Sequence, residues 1–204
     1  MKIGPKYKLA RRLGASVFEK TSTAKFALRT ERKSRNLAGK RPKARSNYGK
    51  QLIEKQKVRF TYCVTEKQFR NYVREVIDKN SSKPAEDLYA LLEARVDSVV
   101  LRSGFVPTRM AARQAVSHGH ITVNGRRITI PSYRLKIGDV VAIREGSKDK
   151  GLFRDMTERV AEITIPNWIK SNKATNQSEV AASATLTPGD TNFDLASVIQ
   201  FYKR

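Results

Sequence analysis

Arginine is the residue type best shaped to hold a phosphate. Its planar fork donates two parallel hydrogen bonds and keeps its charge at every physiological pH. Between residues 93 and 145 the chain spaces such side chains at helical intervals. Arg95 and Arg102 are seven residues apart, which on one helix sets one nearly above the other, and Arg109 and Arg113 at i, i+4 share a face. Ser117, His118 and His120 follow, and Arg126 and Arg127 lie in the next hairpin. Spacing alone describes a solvated charged face as well as a grip. The added hydroxyl, imidazole and guanidinium donors favour the grip, and the ligand it fits is the backbone of a folded RNA. RNA is preferred to DNA because it offers shaped junctions and 2′-hydroxyls to a small module. Neither a long basic recognition helix nor a zinc-finger spacing argues for duplex DNA.

Other chemistry is poorly supplied. His118-Gly119-His120 invites a metal reading, but no cysteine is near and no third ligand stands at a useful spacing. Neither histidine has a Ser/Asp or Cys partner motif, and no phosphate-cradling glycine loop or dinucleotide fingerprint occurs. We therefore expect no catalytic residue, no metal and no cofactor. The lone cysteine, Cys63, sits in R-F-T-Y-C-V and reads as a buried structural thiol in a reducing compartment. Asp97 reads as a structural partner for a nearby base.

These side chains must be positioned by two short helices, a hairpin and a strand. Leu88, Leu91, Leu92, Val96 and Val99 form one apolar stripe, read as a single helix that carries Arg95 and Arg102 and ends at Gly104. Thr108 suits an N-cap and Gly119 a C-cap, so Arg109 and Arg113 fall on a second helix. Its Ala111, Ala112 and Ala115 allow close packing. Ile121 and Val123 alternate with polar residues, Asn124-Gly125 predicts a type I′ turn, and Ile128 and Ile130 alternate on the return. Ile137-Gly138-Asp139 then turns the chain into a buried strand, Val140 to Ile143.

Upstream, helical character begins at Ser46, with Tyr48, Leu52 and Ile53 opening a stripe. Thr65-Glu66-Lys67-Gln68 has capping-box form ahead of Phe69, Tyr72, Val73, Val76 and Ile77. Downstream, residues 150–165 look helical and residues 171–192, rich in Asn, Ser, Thr and Ala, read as an excursion. Leu195, Val198, Ile199 and Tyr202 mark a last helix that docks back onto the helical part.

Charge supports the RNA reading independently. The 204 residues hold 41 Lys+Arg against 19 Asp+Glu, a formal net of +22, and such an excess calls for a polyanionic partner. An anionic membrane is the other candidate. It is disfavoured because no run approaches the ~18 apolar residues of a spanning helix, no signal-peptide core follows the first charges, and the basic clusters lack an apolar face. The excess is uneven: +16 over residues 1–60, −1 over 61–100, +7 over 101–150 and zero over 151–204. Two basic blocks imply two contact surfaces. Residues 1–46 lack a sustained apolar period, cannot offset their ordering entropy alone, and read as an extension that orders against RNA. The expected fold class is α+β, with an extended basic N-terminal segment over 1–45, a helical domain over 46–92 completed by 146–204, and a small α+β RNA-binding module inserted over 93–145.

The residues also resemble a known family. R-V-D-x4-R-x-G-F, T-R-x2-A-R-Q-x-V-S-H-G-H-I-x-V-N-G and I-P-S-Y look like the RNA-binding module named after small-subunit ribosomal protein S-four. That module also occurs on pseudouridine synthases, tyrosyl-tRNA synthetases and ribosome-rescue factors, so alone it gives a ligand class. The flanks G-P-K-Y-K-L-A-R-R-L-G, Y-G-K-Q-L-I-E-K-Q-K-V-R-F, E-K-Q-F-R-N-Y and V-I-Q-F-Y-K-R resemble the bacterial or organellar ribosomal protein family itself. The resemblance implies a non-enzymatic, primary binder of small-subunit ribosomal RNA at a junction of the 5′ domain. It implies early action in assembly of the subunit body, an influence on decoding accuracy, a neighbour in ribosomal protein S-five, and no homo-oligomer. The alternative is a free ribosome-rescue or regulatory factor carrying the same module. The implied contact face of the module is Arg95, Arg102, Arg109, Arg113, Ser117, His118 and His120, with Arg126 and Arg127 beside it. A second set is Tyr48, Gln51, Lys55, Lys57 and Arg59, joined by Lys2, Lys6, Lys8, Arg11, Arg12 and Arg70 in and beside the flanking motifs. Arg41, Lys43 and Arg45 are placed near messenger RNA. Many relatives bind zinc through N-terminal cysteines, the first in a G-P-K-C context. Here that position is Tyr7 and no cysteine precedes Cys63, so zinc is not expected.

Overall fold

Caps and turns fix most of the element boundaries. The computed structural model describes residues 3–14, 17–35, 46–154, 156, 159, 160, 163–172, 176–187, 189 and 191–203. In chain order the elements are α1 (Lys6–Leu13), α2 (Ala24–Arg35), α3 (Asn47–Thr61), α4 (Glu66–Asp78), α5 (Pro84–Glu93), α6 (Val96–Arg102), α7 (Arg109–Ser117), β1 (Ile121–Val123), β2 (Arg126–Ile128), β3 (Val140–Ile143), β4 (Ile169–Asn172), β5 (Gln177–Val180) and α8 (Leu195–Tyr202). They fall into two compact units, Met1–Leu88 with Thr187–Arg204, and Tyr89–Leu186.

In the first unit, Ser46 caps α3 by accepting from Gly49 N at 3.2 Å. Thr65 and Gln68 form the reciprocal capping box of α4, at 3.3 and 3.4 Å. One face of α4 buries Phe69, Tyr72, Val73 and Val76, and Cys63 is buried beside Val64. An eight-residue helix such as α8 is not stable alone in water. It forms because Leu195, Val198 and Ile199 are buried, at roughly 1.5–3 kcal/mol per aliphatic side chain. Asp194 caps it, accepting from Ala196 N at 2.8 Å and Ser197 N at 3.2 Å. Phe201 packs against Tyr48 of α3, ring centroids 5.4 Å apart, and Asp194 N donates to Glu54 at 2.9 Å.

The N-terminal segment is not extended throughout. It contains α1 and α2, and Ala10, Leu13 and Phe18 are buried, Phe18 meeting Phe60 edge-on at 6.2 Å. So few apolar residues in so basic a stretch leave no periodic signal, although they suffice to anchor it.

In the second unit, five antiparallel strands run in the order β2-β1-β3-β5-β4. Asn124 (φ 49°) and Gly125 (φ 77°) make the tight turn between β1 and β2. The register sets Ile121 between Ile128 and Ile143, and Val123 beside Val141. The polar stretch expected to be an excursion instead supplies β4 and β5, and β5 pairs with β3 to widen the sheet. Residues 146–186 therefore belong to this unit and not to the helical one. Ile130 lies beyond β2 and is exposed. The stripe from Leu88 to Val99 is also not one helix. At Arg95 the backbone is extended (φ −72°, ψ 141°) and bridges Arg134, while Leu135 N donates to Ala94 O at 2.8 Å and Val96 N to Tyr133 O at 2.9 Å. Among the described residues no helix is long and apolar enough to cross a membrane.

Candidate nucleic-acid interface

The break before α6 redirects the first arginine inward. Arg95 has no exposed surface, and its Nε and Nη2 grip the buried Asp97 at 2.9 and 2.6 Å. Arg113 Nη1 reaches the same carboxylate from α7 at 3.1 Å. A second buried carboxylate, Glu93, receives Nε and Nη2 of Arg102 at 3.1 and 2.9 Å. Arg109, only 6% exposed, lies 3.8 Å from Glu93 and donates to Ser98 Oγ at 2.7 Å. Ser98 in turn donates to Leu92 O at 2.8 Å. Arg95 and Arg109 are thus not on the face where the sequence placed them; they form its foundation. Helical spacing fixes the angle of a side chain about its helix, and it cannot show that Arg95 lies outside the helix or that carboxylates draw guanidinium groups inward. Arg102 and Arg113 remain partly exposed, at 30% and 22% of their side-chain surfaces. Each is steered by a buried acid and keeps part of its side chain at the surface.

Further donors gather where α7 ends. Thr108 caps its start, accepting from Ala111 N at 3.1 Å, and Gly119 (φ 70°) closes it. Arg127 lies across Gly119, where any side chain would overlap its guanidinium, and Nη2 donates to His118 O at 3.2 Å. His118 is exposed and stacks on His120, centroids 5.9 Å apart. His120 Nδ1 lies 3.0 Å from Ser147 Oγ, and its ring meets the edge of Phe153. Burial first, then the charges of Lys150, His118, Arg144 and Arg127, hold His120 below the usual imidazole value of 6.5. Ser117 and Arg126 are exposed alongside.

Arg144, Ser147 and Lys150 have no place in the sequence reading of this cluster. Extending the pairing of Ile121 with Ile143 by one residue brings Arg144 beside His120, and Arg144 N donates to His120 O at 2.8 Å. The signal was the β1–β3 register, a long-range pairing that local patterns do not reveal.

In the first unit the expected contact block on α3 largely serves the docking of α8. Lys55 is buried, bonds Glu66 at 2.8 Å and lies 4.7 Å above the Phe201 ring. Its expected place at a surface is therefore corrected: the C-terminal helix covers it. Arg59 bonds Glu66 at 3.2 Å, Lys57 bonds Glu54 at 2.7 Å, and Gln51 Nε2 donates to Gln200 at 3.3 Å. Tyr202 OH also donates to Glu66, at 2.8 Å. Burial raises the Glu66 carboxyl, but the bonds from Lys55 and Tyr202 and the charges of Lys55 and Arg59 outweigh it, so its pKa stays below 4.5. Tyr48 is exposed, as are Lys8, Arg11 and Arg12 on α1 and Arg70 on α4. Lys6 is half-buried, its ammonium 5.8 Å above Phe18. Lys2, Arg41, Lys43 and Arg45 lie outside the described residues. Among the described residues no cluster of three His, Cys, Asp or Glu stands ready for a metal.

Two family models cover most of the chain: one described as Ribosomal protein S4/S9 N-terminal domain matches residues 1–93, and one described as S4 domain matches residues 94–141. The chain is similar to the small ribosomal subunit protein uS4 of Roseiflexus castenholzii, 38% identical over 99% of this chain and 98% of the relative. The protein of the same name from Heliobacterium modesticaldum is 38% identical over 98% of each chain. That of Acinetobacter baumannii is 39% identical over 99% of this chain and 98% of its own.

Proposed function

The chain belongs to the ribosomal protein S4 family, and on that premise we propose that it is a non-enzymatic constituent of the small ribosomal subunit that works by binding ribosomal RNA. The observation that carries the reading is the donor cluster around the end of α7, where Arg127 donates to His118 O, His118 stacks on His120 and Arg144 N donates to His120 O. Arg127 and Arg144 bring like charges to the same place, and phosphates relieve their repulsion. Arg102 and Arg113, steered by Glu93 and Asp97, extend the same contact set as pre-oriented forks. Ser117 and Arg126 add exposed donors. Arg95 and Arg109 act through the two acids and not on RNA.

The finer reading is that the protein is a primary binder at a multi-helix junction of the 5′ domain, early in assembly of the subunit body, and that it contributes to translational accuracy. Ribosomal protein S-five is its expected neighbour, and Arg41, Lys43 and Arg45 its contacts where messenger RNA enters. Its place is the ribosome, cytoplasmic in a bacterium. Support for this finer reading is the near full-length similarity to proteins named uS4.

Sedimentation of purified small subunits through high salt tests the proposal. A core constituent stays with the particle; complete release with an intact subunit would make the protein a free factor carrying the same module.

A further inference from the structure

Between α1 and α2 lies a cavity of about 350 Å³, and of its lining residues only Arg11 belongs to the contact set already described. One wall is an aromatic pair: the rings of Tyr7 and Phe26 stack with centroids 5.5 Å apart and planes at 28°. Tyr7 is nevertheless 49% exposed. Arg11, Lys25 and Arg29 stand around it, all exposed, and none of the lining residues is acidic. Arg11 Nε donates to Tyr7 O at 3.2 Å, and the Thr30 hydroxyl donates to Phe26 O at 2.9 Å.

Neither ring belongs to the buried core: the residues that α1 buries are Ala10 and Leu13. An open aromatic face ringed by cations suits a ligand that is flat on one side and anionic on the other. A nucleotide has both properties, since its base stacks on an aromatic ring while its phosphate meets guanidinium groups. Size narrows the choice. Ligand pockets run from roughly 300 to 1,000 Å³, so this one is near the lower end and suits a single nucleotide. In a duplex the base faces are stacked away, so the ligand is an unstacked nucleotide of a loop, bulge or single strand.

We propose that this cavity takes one unstacked nucleotide of the bound RNA, with its base on Tyr7 and its phosphates on Arg11, Lys25 and Arg29. The proposal rests on the RNA-binding function above.

The test uses the full chain and a single-stranded hexa-uridylate carrying one central 2-aminopurine; uracils stack weakly, so the reporter is bright when free and quenched when it stacks on an aromatic side chain. Binding of small-subunit ribosomal RNA is measured in parallel. The wild-type protein and Tyr7→Phe should quench the probe. Tyr7→Leu, which keeps an apolar side chain against Phe26 but has no π face, should lose the quench and weaken probe binding about tenfold. Arg11→Gln and Arg29→Gln should keep the quench at low salt and each lower the log–log salt slope by about 0.7. If Tyr7→Leu quenches as the wild type does, or the wild type binds ribosomal RNA without quenching the probe, the nucleotide pocket is wrong and the function stands. If the wild type binds neither RNA, both fall.

Discussion

Asp97 shows how one buried acid serves both stability and recognition. It receives Arg95 from within and Arg113 from the surface side. Taking such charges out of water costs several kcal/mol per ion, and removing one partner leaves the other uncompensated. Asp97→Ala should therefore destabilise the second unit by about 3–5 kcal/mol, read as a lower denaturant midpoint. Arg113→Ala, which leaves Asp97 its two bonds to Arg95, should cost less than Asp97→Ala and yet weaken RNA binding. Equal losses of stability would mean that Asp97 is not the hub. His120 offers a second residue-level expectation. Its folded pKa is depressed below 6.5, so its contribution to stability is present above 6.5 and lost as pH falls through the lower, folded value. Phosphate favours the cation and so pulls that pKa back up. RNA affinity should rise as pH falls from 7.5 towards 5.5, and His120→Gln should flatten the rise in a binding titration.

At the scale of elements, α8 is held by polar groups as much as by its apolar face. Glu66 joins Lys55, Arg59 and Tyr202, and Asp194 caps the helix. Burial raises the Asp194 carboxyl, but bonds from Ser197 and Ala196 outweigh it and hold its pKa below 3.8. With both carboxyls depressed, their stabilisation is present above the unfolded values of 4.5 and 3.8 and lost as pH falls through the folded ones. The first unit should loosen at acid pH, α8 first, and Glu66→Gln should make stability less pH-dependent below 4.5. Hydrogen exchange of the α8 amides at pH 3.5 and 6 checks this.

The same helix marks what sequence can reveal. Leu195, Val198 and Ile199 repeat at helical spacing, and Thr65 with Gln68 spells out a cap, so α8 and α4 were legible. The turn at Asn124-Gly125 and the α7 cap at Thr108 were legible for the same reason: each is decided within a few residues. The β4–β5 hairpin was not, because Lys170, Asn172, Gln177 and Glu179 are poor strand formers; Gln177 and Glu179 pair with the β3 edge, and Lys170 and Asn172 pair with them in turn, a long-range arrangement no local pattern shows. The stripe through Val96 and Val99 continues across the break at Arg95, so periodicity joined two helices that long-range backbone bonds from Ala94 and Val96 keep apart.

For the whole molecule the deciding quantity is how the charge of +22 is distributed between the units. Removing residues 1–45 would not isolate the N-terminal charge, because Ala10, Leu13 and Phe18 would leave the core with it. Neutralising exposed side chains avoids that. Lys8 and Arg12 represent the first unit, Arg126 and Lys150 the second; all four are exposed, and each pair can be changed to glutamine. Counterions released on binding are counted in the slope of log affinity against log salt, at about 0.7–0.9 per phosphate contact. Each pair should lower that slope by about 1.4–1.8, and the four changes together by about twice that. The effects should add because ion release counts neutralised phosphates wherever on the protein they are met. A slope insensitive to the first pair would remove Lys8 and Arg12 from the phosphate-contact set, and their charge would then raise the encounter rate without holding the complex.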